Sequence, residues 1–321
     1  MLGLLRAEAA QRGIPTCAMT FEPHPRDYFA QKLGKPDLAP ARVGTLRDKL
    51  SQLEICGVDQ VVILPFNASL ASQRPEDFIQ DVLISGLGAK YVLVGDDFRF
   101  GNKRAGDYAM LDSSGQALGF DVARMNSYEV HGLRVSSTAV REALAVGDMQ
   151  QAAKLLGHPY RISGHVVHGR KLGRKLAESR AGADDGFRTL NLRFDHWKPA
   201  ASGIFAVLVH GLTDTPLHGV ANLGVRPSLD PNDINGGRVL LETHCFDWPV
   251  ELGGEGAYGK IIRVELLHKL HDELKYDSLD ALTAGIAKDC DDARAFFAGN
   301  HAPSHTSSHT ETRRQTTRDR I

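Results

Sequence analysis

The sequence predicts an α/β domain built on a parallel sheet, followed by an antiparallel β-barrel or sandwich. Apolar strand-like segments alternate with helical ones up to about residue 157, which implies a parallel sheet covered on both faces. Beyond about residue 158, short apolar segments follow one another without helices, as in an antiparallel barrel or sandwich. Residues 278–297 then place Leu279, Leu282, Ile286, Ala293 and Phe296 along one face of a closing amphipathic helix.

Residues 2–12 read as a helix, with Leu2, Leu5 and Ala9 on one face and Gly13 at its C-terminal end. Residues 16–21 form a short apolar strand. Residues 45–55 carry Leu46, Leu50 and Leu53 at helical spacing and stop before Gly57. A second strand spans 58–64, and Pro75 opens a helix with Phe78, Ile79, Val82 and Leu83 facing inward. Strands at 90–94 and 119–125 follow, then helices at 138–146 and 148–156 separated by Gly147. The barrel-like half contains segments at 160–169, 189–194, 203–211, 219–223, 238–246 and 260–267, set apart by glycine, proline and polar turns. A doubly wound domain starts on a central strand whose turn into the first helix is its main phosphate-binding element. This chain starts in a helix, so its sheet is expected to lack that strand and turn.

The 321 residues are enough for two domains, and 42% hydrophobic with 24% charged residues is the composition of a globular protein. A net charge of −1 gives no electrostatic reason to expect nucleic acid or an anionic membrane as partner. No apolar stretch approaches the roughly 20 residues of a membrane span, and Glu8 and Gln11 interrupt any secretory pattern. Cys17, Cys56, Cys245 and Cys290 are scattered and form no C-x-x-C pair, so neither zinc nor a disulfide framework is expected. Cys17 and Cys56 read as small core residues in a reduced, cytoplasmic protein. Residues 299–321 carry almost no apolar side chains and read as a disordered tail, including His301, His305 and His309.

Three runs carry candidate chemistry. Residues 91–101 join a buried strand to the loop Gly95-Asp96-Asp97-Phe98-Arg99-Phe100-Gly101. Such a loop is either a solvated charge cluster or, at the carboxyl end of a strand, part of a ligand pocket. Val135-Ser136-Ser137-Thr138-Ala139-Val140-Arg141 starts a helix with three hydroxyls and an arginine. The hydroxyls suit a helix cap, but three are more than one cap requires, which favours phosphate, held by the free N–H groups, the dipole and a guanidinium. Thr20-Phe21-Glu22-Pro23-His24-Pro25-Arg26 follows a strand and reads as a stiff turn around His24, either an incidental loop or a shaped pocket wall.

In this order and spacing the three runs resemble the FMN adenylyltransferase module of bacterial bifunctional riboflavin kinase/FAD synthetases, and the resemblance extends from residue 2 to about 298. It implies a nucleotidyltransferase-like Rossmann domain over residues 1–157 with its first strand missing. A flavokinase-like antiparallel β-barrel with a C-terminal helix would follow over 158–298, and a tail over 299–321. It further implies that Ser136, Ser137, Thr138 and Arg141 grip ATP phosphates, while Pro23, His24, Asp97 and Phe98 help to line the nucleotide and flavin pocket. In the second half, His168-Gly169-Arg170-Lys171-Leu172-Gly173-Arg174 resembles the family's ATP loop, with Gly169, Lys171 and Gly173 approaching phosphates. Residues 219–227 match a further family run, and Leu241-Glu242-Thr243-His244-Cys245-Phe246-Asp247 matches the strand that carries the catalytic base, here Glu242. Thr189 and Asn191 fall where the family holds Mg²⁺ and phosphate. The implied ligands are riboflavin, FMN and ATP, with Mg²⁺ as cofactor and ATP as co-substrate, and with neither nucleic acid nor membrane as partner.

Two departures shape the expectation. The family's opening strand and its Gly-x-Phe-Asp-Gly-x-His-x-Gly-His turn have no counterpart, so a gene model shortened at its start is the simplest expectation, with FMN formed and little or no FAD. The kinase signature Leu-Gly-Arg-x-Leu-Gly-Phe-Pro-Thr-Ala-Asn is interrupted by residues 177–185, and its proline and alanine are Arg188 and Leu190 here. These departures are also the grounds for the alternative reading, a degenerate non-catalytic flavin- or nucleotide-binding protein. A transferase for another substrate, the third reading, is opposed by the flavokinase-like barrel.

Overall fold

The computed structural model describes residues 1–125, 129–130, 133–168, 189–193, 198–225, 239–253 and 255–300. The chain opens with α1 (Leu2–Arg12), which ends at Gly13 in the left-handed conformation, φ 64°. Next come β1 (Cys17–Glu22), α2 (Pro25–Lys32), α3 (Leu46–Ile55), β2 (Gln60–Pro65) and the short α4 (Ala68–Ser72). Thr45 begins α3 with a reciprocal capping box to Asp48, satisfying two otherwise orphaned donors. The predicted helix at Pro75 is present as α5 (Pro75–Asp77), but it runs straight into a π-helical segment, Phe78–Gly86. That segment buries Phe78, Ile79 and Leu83, three of the four residues expected to face inward.

After β3 (Tyr91–Gly95) the chain forms α6 (Tyr108–Leu118), β4 (Asp121–Met125), the two-residue strands β5 (Glu129–Val130) and β6 (Leu133–Arg134), α7 (Ser137–Val146) and α8 (Met149–Leu156). The parallel strands form two separate pairs, β1 with β2 and β3 with β4. Their residues are mostly half-buried, unlike the strands of a sheet covered on both faces. α1 ties the pairs together: Arg12 donates to Asp121 at 2.6 Å and lies over the Tyr91 ring, while Arg6 donates to the Cys56 carbonyl. Met19 and Leu64 of the first pair also pack against the cluster that holds Val94, Phe100, Leu111 and Phe120.

The second half is a closed six-stranded barrel in the order β10-β11-β8-β7-β12-β9. Its strands are β7 (Tyr160–Val167), β8 (Thr189–Arg193), β9 (Gly203–His210), β10 (Leu217–Val225), β11 (Val239–Cys245) and β12 (Ile261–His271). Closure removes the free sheet edges that an open sandwich would leave. Alternation sends Leu192, Phe205, Val207, Leu223, Leu241 and Val264 inside, all fully buried, each worth about 1.5–3 kcal/mol relative to exposure. The buried residues of α7 and α8 belong to the same cluster. α9 (Leu279–Asn300) covers the outer face of β9 and β10 through Cys290, Ala293 and Phe297 against Ile204, Ala206 and Val220.

The two halves join along the segment before α3. The Arg42 N–H donates to the Lys198 carbonyl at 3.2 Å, and Arg161 of β7 hydrogen-bonds Gln52 of α3. All four cysteines are free thiols. Cys17 and Cys56, read from sequence as core residues, are only half-buried; Cys245 and Cys290 are the buried ones. Burial pushes the Cys245 thiol up to about 12 and the Cys290 thiol up to about 11, so both stay protonated and inert.

Candidate functional site

In the barrel, register brings together residues that are far apart in sequence. Glu242 of β11 lies directly opposite Asn191 of β8 on one side and Asn222 of β10 on the other. Directly opposed residues share a face. Their inward neighbours Leu192, Leu241 and Leu223 fill the core, so this polar row stands on the outer face of the barrel. Asn191 is nevertheless buried, at 2% exposure. Its Nδ2 donates to the Thr189 carbonyl at 3.2 Å, which fixes the amide and leaves Oδ1 buried with no hydrogen-bond partner. The Asn222 Oδ1 is buried and partnerless as well. Two such oxygens flanking a carboxylate are costly unless a ligand donor or cation satisfies them.

Thr189 sits two residues along on the same face, opposite His244, and is half-buried. The sequence reading therefore finds three members of one surface, Thr189, Asn191 and Glu242, and misses the fourth, Asn222. Its signal was present in the run 219–227, but only the pairing of β10 with β11 shows which residue of that run faces Glu242. Gly169, Lys171 and Gly173, the insertion 177–185, Arg188 and the tail beyond residue 300 lie outside the described residues. The altered Leu190 points into the barrel core, so its extra bulk is absorbed there and not beside Asn191.

In the α/β half, the turn after β1 and the start of α7 converge. His24 caps α2: its Nδ1 accepts from the Arg26 N–H at 3.2 Å, which requires a neutral ring at that nitrogen. Burial, and next the charge of Arg42, hold the imidazole below its usual range. Arg42 lies 2.8 Å from Asp27 and donates to Glu22 at 2.9 Å, and Lys49 donates to Thr20 at 3.0 Å. Arg141 reaches in from α7 and donates through Nε to the Ala41 carbonyl at 2.6 Å. Burial first, then Arg26 and Arg42, lower the Arg141 pKa; burial and Arg42 do the same to Lys49. Arg42 is itself paired with Glu22 and Asp27, so the positive charge of this cluster is partly neutralised. Sequence reasoning missed Arg42 and Lys49, which lie in no recognisable run.

Ser136 proves to be the N-cap of α7, its hydroxyl accepting from the Ala139 N–H at 3.2 Å, while Ser137 and Thr138 are exposed. Pro23 is exposed beside His24. The loop after β3 divides its residues: Asp97 is exposed, and Phe98 is drawn inward by stacking on Phe100 at 5.3 Å. Arg141 of α7 thus reaches the Ala41 carbonyl next to Arg42, which pairs with Glu22 and Asp27 beside His24, whereas the Asp97 loop is held by the Phe98–Phe100–Phe78 cluster.

Comparison with known proteins gives the family. The FAD synthetase family profile matches residues 1–139, and the riboflavin kinase profile matches residues 156–297. A bifunctional riboflavin kinase/FMN adenylyltransferase of Haemophilus influenzae is 41% identical over 91% of this chain and 87% of its own length. The chain belongs to this family. The Escherichia coli K12 member is 42% identical over 91% of this chain and 86% of its own, and the Pseudomonas fluorescens member 38% over 93% and 88%. A solved structure described as a macrolide-efflux protein from Streptococcus pneumoniae superposes with a TM-score of 0.68 at 25% identity, covering 91% of this chain and 88% of that one. Among the described residues, no helix is long and apolar enough to cross a membrane.

Family membership makes the histidine spacings informative. His165 and His168 lie in and just after β7, where His168 stacks on Tyr258 at 3.8 Å. His268 and His271 lie in β12, where His271 meets Asp289 at 2.8 Å. Both pairs belong to the barrel half of the chain.

Proposed function

We propose that this chain is a bifunctional transferase of flavin cofactor synthesis. Residues 158–298 would carry riboflavin phosphorylation, giving FMN and ADP from riboflavin and ATP. Residues 1–157 would carry adenylyl transfer, giving FAD and pyrophosphate from FMN and ATP, with 299–321 as a tail. The observation that carries the kinase reading is the row Asn191–Glu242–Asn222, a carboxylate between two partnerless buried amide oxygens. Glu242 takes the proton of the ribityl 5′-hydroxyl as that oxygen attacks the γ-phosphorus of ATP and the bond to ADP breaks.

The Asn191 Oδ1 suits a hard cation, because Mg²⁺ typically uses one or two protein oxygens and completes its shell with water and phosphate oxygens. Asn191 and Thr189 would hold it, and Mg²⁺ would supply neutralisation of the phosphate charge during transfer.

For adenylyl transfer, Ser137, Thr138 and Arg141 at the start of α7 would hold ATP phosphates with Arg42 and Lys49 supplying further charge. Ser136 would position the helix start as its cap, Pro23 and His24 would shape the wall, and Asp97 and Phe98 would border the flavin. The cytoplasm is the compartment this reading assigns, where all four thiols stay reduced. Incubation with riboflavin, ATP and Mg²⁺, followed by chromatographic separation of the flavins, tests the reading: FMN is expected, and unchanged riboflavin would refute it.

A further inference from the structure

A single peptide group lies between the two halves and is hydrogen-bonded to both. The Ala41 carbonyl accepts from Nε of Arg141, in the first turn and a half of α7, at 2.6 Å. The N–H of the next residue, Arg42, donates to the Lys198 carbonyl of the barrel half at 3.2 Å. The peptide that joins Ala41 to Arg42 is trans, so these two groups point in opposite directions, one toward each partner. A hydrogen bond at each end polarises the group and strengthens the other.

The local sequence explains why this peptide is held still. Pro40 restricts Ala39 to extended backbone, φ −68° and ψ 132°, and Arg42 continues as an isolated parallel bridge to Pro199. Successive side chains of an extended segment point to opposite sides. Ala41 and Val43 accordingly pack against the barrel core, and the Arg42 side chain turns the other way. There it meets Glu22, at the end of β1, at 2.9 Å and Asp27, in the first turn of α2, at 2.8 Å. Its side chain is only 15% exposed. The segment is therefore gripped from both sides, by the barrel through Ala41 and Val43 and by the α/β half through Arg42.

A guanidinium carries five N–H donors in a rigid fork, and in Arg141 the Nε donor is committed to Ala41. Among the described residues its two Nη groups make no hydrogen bond. Fixing Nε sets the plane of the fork, and with it the direction in which two parallel N–H bonds can hold a phosphate. The charge of Arg42 is balanced by Glu22 and Asp27, so what it adds to Arg141 is chiefly position. We propose that Arg42 is a positioning residue: anchored on Glu22 and Asp27, it holds the Ala41–Arg42 peptide between the Lys198 carbonyl and Arg141, and so aims the Arg141 guanidinium at ATP phosphate. The proposal rests on the adenylyl-transfer reading above. It makes the barrel half part of the frame in which the other half holds its nucleotide.

Two measurements on the full chain test this. In isotope-labelled protein the Arg141 Nε–H resonance is identified by its loss in Arg141→Lys. Its exchange with solvent is expected to be at least tenfold faster in Arg42→Met, where the peptide is no longer anchored. Titration with ATP and Mg²⁺ of Arg42→Met, Arg141→Ala and the double variant forms a double-mutant cycle. Each single substitution is expected to weaken ATP binding at least tenfold, and the double variant to bind less than threefold more weakly than the worse single. Arg42→Lys, which keeps one ion pair, is expected to recover part of both effects. If Arg42→Met does not fold, Arg42→Lys takes its place, with an expected change of at least threefold in each measurement. Unchanged Nε–H exchange overturns the proposal, as do losses of ATP affinity that simply multiply, the outcome if Arg42 only supplied charge. Unchanged ATP binding by Arg141→Ala would remove the phosphate reading of Arg141, whereas faster Nε–H exchange in Arg42→Met would still establish Arg42 as the residue that holds that guanidinium in place.

Discussion

Glu242 and Asn191 stand directly opposite one another on neighbouring antiparallel strands, although 50 residues of chain separate them. The pairing places a carboxylate beside a buried amide oxygen that has no protein partner. It turns two separate sequence matches into one constellation on the outer face of a closed barrel.

If the Asn191 oxygen serves a metal, Asn191→Leu removes it while keeping the side-chain size. The Mg²⁺ concentration needed for half-maximal FMN formation is then expected to rise about 10–100-fold. Titration of activity with Mg²⁺ checks this, and an unchanged requirement would remove Asn191 from the metal site.

Ser136 and its neighbours should separate cleanly. Ser136→Ala deletes the cap of α7 and is expected to cost about 1 kcal/mol of stability in urea unfolding. Ser137→Ala and Thr138→Ala touch exposed hydroxyls and are expected to stay within about 0.5 kcal/mol. Their effect should appear instead as weaker ATP binding.

That contrast shows where the sequence was readable. The hydroxyl run announced a helix start, and the amphipathic spacing around Leu46, Phe78 and Ile286 announced helices that are present. α2 was hidden because Pro23 and Pro25 read as a turn, although proline is at home in the first turn of a helix. α6 was hidden by Ser113, Ser114 and Gly115, yet Gly115 is buried because the Phe120 carbonyl and the Val122 side chain press against it. The barrel strands were legible from alternation, but their order was not. Register between β8, β10 and β11 depends on closure of the whole barrel, so Asn222 could not be picked out locally.

α9 should respond to pH. Burial alone would lower the His271 pKa, but hydrogen bonds to the Asp272 carbonyl and the Asp289 carboxylate outweigh it, and the net shift is upward. A raised folded pKa means that the stabilisation is fully present below the unfolded value of about 6.5 and is lost as pH rises through the folded value. Thermal unfolding is therefore expected to show a stability loss above about pH 6.5 that His271→Gln abolishes. The same pH dependence in that variant would assign it to other groups.

Phe297 of α9 stacks flat on His218 at 4.0 Å and is buried against the barrel. Phe297→Ala opens a cavity between helix and barrel and is expected to cost about 3 kcal/mol in urea unfolding. A loss below about 0.5 kcal/mol would mean that α9 contributes little to holding the barrel.

The central claim is that Glu242 acts as the base in phosphoryl transfer to riboflavin. The most direct measurement is the initial rate of FMN formation by Glu242→Gln, which keeps the side-chain shape and removes the proton acceptor. The rate is predicted to fall by about 10²–10⁴ with the thermal midpoint little changed. A rate within twofold of the unsubstituted chain would contradict the assignment.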